Sequence, residues 1–145
     1  MGGVSGRDAT ALGRRLDEIL AAAERLIRPI PEAEMEGVRD PAFRLFRLGL
    51  GFVDGMDRGR VTGDWRDERA PDDLRDGGAV ARYGALVRGR VGGWFEGAGP
   101  RELDRVIDGP GGSRAGWALL EEVTAEAAAQ LGRLHAALER AGRAS

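Results

Sequence analysis

Few residues of this chain can do chemistry. His135 is the single histidine and there is no cysteine. A histidine-based metal triad, a His/Asp catalytic system, a thiolate zinc site and a cysteine nucleophile are therefore excluded within one chain. Arginines, carboxylates and a handful of aromatics remain. Arg47 and Asp54 fall within about 20° of each other around a helix, two turns apart. Such a pair can flank a polar cleft or mark the solvent strip between two apolar stripes. Tyr83 and Trp65 are the candidates for an aromatic ligand wall; Tyr83 also fits the core stripe of its helix, whereas Trp65 stands in a loop where no core calls for it. The run GPGGSRAG lacks the lysine and the spacing of a phosphate-binding loop and reads as a helix-entry turn, although such a turn can offer free N–H groups to an anion.

The elements holding these residues follow from periodicity. Leu12, Leu16, Ile19, Leu20, Ala23, Leu26, Ile27 and Ile30 make one stripe of a helix over 8–30, ended by Pro29 and Pro31. Asp40-Pro41 reads as an N-cap and first residue of a second helix reaching about Asp57. That helix is apolar on two sides, with Phe43, Phe46, Leu50 and Val53 on one and Leu45, Leu48, Phe52 and Met56 on the other. It is therefore expected in a bundle interior or at a two-fold contact with a second copy. Gly49, Gly51 and Gly55 within it admit a neighbouring backbone or a ligand, or only reflect coding bias. A long polar loop over 58–77 precedes a third helix over 78–95, and Ser113 is the expected N-cap of a last helix ending at Gly142. Its seam is read as Trp117, Leu120, Val123, Ala127, Leu131, Leu134 and Leu138, with Trp94 and Trp117 both expected inside. No strand pattern is convincing, and the state of 102–107 is open. The expected fold class is all-α: a four-helix bundle in one domain, with its core over about 8–142.

Composition agrees with one domain. A chain of 145 residues with 42% hydrophobic content buries roughly 68–70% of its unfolded surface without staples. No run reaches the roughly 18 apolar residues of a membrane span, and no signal-peptide core is seen, so a cytoplasmic protein without a membrane partner is expected. All 22 basic residues are arginine, against 24 acids. The signs alternate along the chain, so no basic face forms and nucleic acid is not an expected partner. The absence of lysine and asparagine beside 24 glycines looks like GC-rich coding.

In order, LGRRLDEILAAAERLI, RLGLGFVDGMDRG, VARYGALVRGRVGGWF and LLEEVTAEAAAQLGRLHAALERAG resemble the DinB-like family of bacterial four-helix bundles. The resemblance runs over about 12–142. It implies a divalent metal held by one histidine of the second helix and two on the last, and thiol-dependent S-transferase or isomerase activity. The corresponding positions here are Phe43 or Arg44, Glu126 and Gln130, which replace every histidine. Neither arginine nor phenylalanine ligates a metal, and a Glu/Gln pair gives only weak oxygen donors. No metal and no cofactor is therefore expected.

Glu126 and Gln130 share a helical face. Gln130 is expected at the rim of the interior and Glu126 further out. If the family's cleft persists, Arg44, Glu126 and Gln130 converge in it, with Glu126 as a base. The plainer alternative is a polar rim in which Glu126 pairs with Arg133 or Arg47. The resulting expectation is a small-molecule ligand held by Arg44, Arg47, Asp54, Trp65, Tyr83 and Gln130. The activity would be a metal-independent isomerase, cyclase or transferase of a specialised bacterial pathway. The alternative is a non-catalytic binding, resistance or dimerisation module.

Overall fold

A computed structural model describes residues 2–61, 68–98 and 100–142. Four long helices carry the fold: α1 (Gly2–Ile27), α2 (Arg39–Arg58), α3 (Gly77–Gly97) and α5 (Gly116–Arg140). A single turn, α4 (Pro100–Leu103), and the strands β1 (Val106–Ile107) and β2 (Arg114–Ala115) lie between α3 and α5. The all-α bundle expected from periodicity is what forms. No helix among the described residues is long and apolar enough to cross a membrane.

Neighbouring contacts set the helix directions. Gly13 of α1 lies against Phe95 of α3, and the Gly77 N–H at the other end of α3 donates to the Ile30 carbonyl just beyond α1, at 2.8 Å. These two helices are antiparallel. Phe43 stacks on Tyr83, and Asp54 meets Arg90, so α2 and α3 run parallel. Gly116, opening α5, abuts Met56 near the end of α2, so α5 runs against α2. Around the bundle the order is α1, α3, α2, α5, each packed on the next and α5 on α1.

This arrangement explains the two-sided α2. Its stripes face α3 on one side and α5 on the other, and Phe43, Phe46, Phe52, Val53 and Met56 are all buried inside one chain. The surplus apolar surface that suggested a partner on this helix is consumed by the bundle itself.

Several local expectations are corrected. Asp40 is not the N-cap of α2. That position is Val38, without a side-chain bond, and the Asp40 Oδ1 instead accepts the Ala70 N–H at 3.0 Å, pinning the following loop. Ser113 does not cap α5 either: its hydroxyl donates to Asp108 Oδ1 at 2.6 Å, inside the small hairpin that delays the helix to Gly116. Segment 102–107 resolves into the end of α4 and strand β1, and β1 pairs antiparallel with β2. By contrast Asp76 caps α3 through the Ala79 N–H at 2.8 Å, and Gly59 and Gly142 take the positive φ that ends α2 and α5.

Leu120, Val123, Ala127, Leu134 and Leu138 of the expected α5 seam are buried, but Leu119, Thr124, Gln130 and Ala137 join them and Trp117 is 37% exposed. The buried face is centred about 35° round the helix from the expected seam, away from Trp117 and Leu131. Trp94 is half-buried, edge-on to Phe52 at 5.2 Å.

Close packing makes glycine necessary at one inner position of α3. A Cβ at Gly84 would stand 2.5 Å from the ring of Phe46, whereas one at Gly132 on α5 would meet nothing within 4 Å. Gly84→Ala is therefore expected to cost about 1–3 kcal/mol by overpacking. Gly132→Ala should add up to about 1 kcal/mol through helix propensity. Urea denaturation of the two variants checks the opposite signs.

Candidate functional site

The outward strip of α2 carries Arg44, Arg47, Asp54 and Arg58, interrupted by Gly51 and Gly55. After Gly59 turns the chain, Arg60 and Val61 run back beside the helix. This return is held by the Val61 N–H donating to the Asp108 carbonyl at 2.7 Å and the Asp108 N–H to the Gly59 carbonyl at 3.2 Å. A cleft of about 110 Å³ opens between helix and return, walled by Arg47, Asp54, Arg58 and Arg60 over a floor of Gly51 and Gly55. Val61 closes the end, its Cγ2 2.9 Å from where a Cβ of Gly55 would be.

The charges around this cleft are unequal. Asp54 is held by Arg90 of α3 at 3.3 Å, and Arg90 also faces Asp57 at 3.9 Å. Arg47 pairs with Glu68 at 3.0 Å, and Arg44 donates to the Glu68 backbone carbonyl at 2.8 Å. Among the described residues neither Arg58 nor Arg60 pairs with a carboxylate, so two guanidinium charges face the cleft without an internal counter-ion.

Tyr83 belongs to the same neighbourhood. Its ring stacks on Phe43 at 5.3 Å and meets Phe46 edge-on at 6.4 Å. Burial pushes its phenol above the ordinary value of 10.0; the charge of Arg47 pulls it down, and Glu68 and Asp54 push it up. Arg47, Asp54 and Tyr83 thus share one electrostatic environment, with Arg44 joined to it through Glu68. Trp65 lies outside the described residues.

Glu126 and Gln130 stand apart in the bonding pattern. Glu126, with a side chain 29% exposed, faces Arg133 across 3.9 Å, the plainer of the two arrangements its position allowed. Gln130 is 3% exposed, deep in the α5 face instead of at its rim, and its Oε1 is buried with no hydrogen-bond partner. No described hydrogen bond or ion pair joins either residue to Arg44. His135 is exposed.

The positions that the DinB-like resemblance gives to a metal do not fit one. Phe43 is stacked in the core, Arg44 is a cation on a carbonyl, and the Glu126 carboxylate faces a guanidinium. Among the described residues no three His, Cys, Asp or Glu side chains come together to hold a metal ion.

A second cavity, of about 440 Å³, lies at the start of α2 between Met35, Arg39, Asp40, Arg69 and Asp72. Asp40 there accepts the Ala70 N–H and faces Arg69 at 3.9 Å, and Arg39 donates to the Arg75 carbonyl at 2.9 Å while its Nε is buried without a hydrogen-bond partner. Comparison with protein-family models, curated proteins and solved structures gives no match for this chain.

Arg58 and Arg60 escaped the sequence reading. Their signal was the RGR run closing a glycine-interrupted helix: Arg58 lies on the α2 strip itself, and the chain reversal at Gly59 brings Arg60 to the same cleft. Tyr83 is the sole tyrosine, so its ionisation can be read directly. The native protein should ionise above pH 10 and the unfolded chain near the ordinary value. The unfolded state then loses its proton first, and stability falls as pH rises through and above that value. Phenolate absorbance in native buffer and in denaturant measures the offset, and Arg47→Ala should enlarge it.

Proposed function

We propose that this chain is a small-molecule-binding protein, a cytoplasmic DinB-like bundle without that family's metal, and that it grips its ligand by an anionic group in the α2 cleft. The observation carrying this reading is the pair of guanidinium groups, Arg58 and Arg60, without a described carboxylate beside Arg47 on a cavity of about 110 Å³. That volume suits a carboxylate or phosphate group and not a whole metabolite. Planar guanidinium groups bind such groups through paired N–H donors. The kinship is supported by the order of the four quoted helix segments.

Binding is favoured over catalysis. Asp54, the carboxylate at the cleft, is engaged by Arg90, and Glu126, the expected base, is engaged by Arg133. Asp57, the acid beside Asp54, faces the same Arg90 guanidinium, and Glu126 has no described nucleophile or second acid paired with it. An isomerase, cyclase or transferase would need groups beyond this set.

Thermal unfolding at constant ionic strength tests the proposal with inorganic phosphate and with malonate, using chloride as the control. A ligand at a hundred times its Kd stabilises by about 2.7 kcal/mol, a shift of roughly 5–10 °C for a chain of this size. The shift should vanish in the Arg58→Ala/Arg60→Ala variant and survive in Glu126→Ala. No shift with either anion, or a shift that the double variant retains, would refute the assignment.

A further inference from the structure

The inner face of α3, with Val80, Ala81, Gly84, Val87 and Val91, is buried against α1 and α2. Its outer face carries Arg82, Leu86, Gly89, Gly93 and Glu96, all exposed. Their spacing alternates four and three residues, which makes a straight stripe along the helix.

Three observations on this stripe are unexplained by the bundle. Leu86 is 72% exposed, the highest value among the described large apolar residues. A Cβ at Gly89, Gly92 or Gly93 would meet nothing within 4 Å, so no internal packing needs glycine there, although each glycine costs the helix about 1 kcal/mol against alanine. Arg82 and Glu96 have no ion pair among the described residues and stand seven positions either side of Gly89. The nearby arginines are occupied, Arg88 by Asp17 and Glu24 and Arg90 by Asp54 and Asp57.

We infer that this face docks on the same face of a second copy of the chain, the two α3 helices crossing antiparallel about a two-fold axis at Gly89. In that pairing a residue before Gly89 meets the residue equally far after it. Arg82 meets the partner's Glu96, and the symmetry repeats the ion pair. Leu86 falls on the partner's Gly92 beside the partner's Gly93, so an exposed side chain fills a gap without one. A parallel pairing would set Arg82 on itself and Glu96 on itself. The stripe is therefore complementary to its own reverse, which is what a two-fold contact between identical chains requires. One helix face per copy falls below the roughly 1,200 Å² of standard interfaces, so the dimer is weak and depends on concentration. The contact is independent of the anion cleft.

Sedimentation velocity of the full chain tests this between about 5 and about 300 µM, the range for weak association. The wild type should shift from monomer to dimer. Arg82→Glu and Glu96→Arg should each weaken self-association at least about tenfold, because like charges then face each other across the axis. An equimolar mixture of these two variants should associate again, since each arginine pair then faces a carboxylate pair. Gly89→Ala with Gly93→Ala should raise the melting temperature yet weaken association, a combination that a purely internal role would not produce. All these positions are exposed, and circular dichroism confirms that the variants fold. A wild type that stays monomeric at the highest concentration, a dimer indifferent to both charge reversals, or a mixture that fails to re-associate would each overturn the inference.

Discussion

The ring of Phe46 occupies the space that any side chain at position 84 would need, and the seat of α3 depends on that contact. Because Gly84 lets the ring in, α3 lies close along α2. Tyr83 can then stack on Phe43, Val87 and Val91 can press on Gly49, and Arg90 can reach Asp54. Interiors are close-packed, so a neighbour even a methyl group wider would have to move the ring or the helix. The seat of α3 on α1 is fixed by charge as well as shape. Glu24 is 5% exposed, and its two oxygens are taken by Arg28 at 3.0 Å and by Arg88 of α3 at 2.9 Å. A carboxylate this deep is tolerated because both partners donate to it, and losing either would leave part of its charge unanswered.

From that arrangement the cleft follows. With one side of α2 sealed by α3 and another by α5, only a strip remains outside, and polar residues occupy it. On the strip Gly55 lets Val61 lie close where the chain returns after Gly59, and a cleft lined by Arg47, Arg58 and Arg60 opens there. Among the described residues the carboxylates beside that cleft, Asp54 and Glu68, are paired with Arg90 and Arg47. The proposed anion binding thus rests on a local surplus of arginine in a protein whose net charge is −2, because the local inventory differs from the total.

The described glycines serve several distinct ends, Gly77 for one leaving room for the Ile27 carbonyl. Gly59 and Gly142 supply positive φ where helices stop. Gly84 and Gly116 admit a neighbour's side chain, the Phe46 ring and the Met56 thioether respectively. Gly89, Gly92 and Gly93 face open space and have no internal task, which turns attention to what lies outside the chain.

Helical periodicity by itself determined that the chain is all-α, where the long helices run, and that α2 has two apolar sides, since the spacing of apolar residues is a local property of a 3.6-residue turn. It also placed Arg47 and Asp54 on one strip. What periodicity lacks is the identity of the neighbour covering each face. The same two-sided stripe serves a bundle interior or a dimer, and only the positions of α3 and α5 decided between them. Leu119 and Ala137 turn the α5 face toward Gln130 and away from Trp117, because the packed face is chosen by what α1 and α2 offer and not by the bulkiest residues in the stripe. Ser113 and Asp40 have the side chains of caps but were claimed by Asp108 and by the Ala70 N–H, partners that only the folded chain brings near. Arg60 came beside Arg58 and Arg47 through one left-handed glycine, and a reversal of direction is invisible to any pattern read along a line.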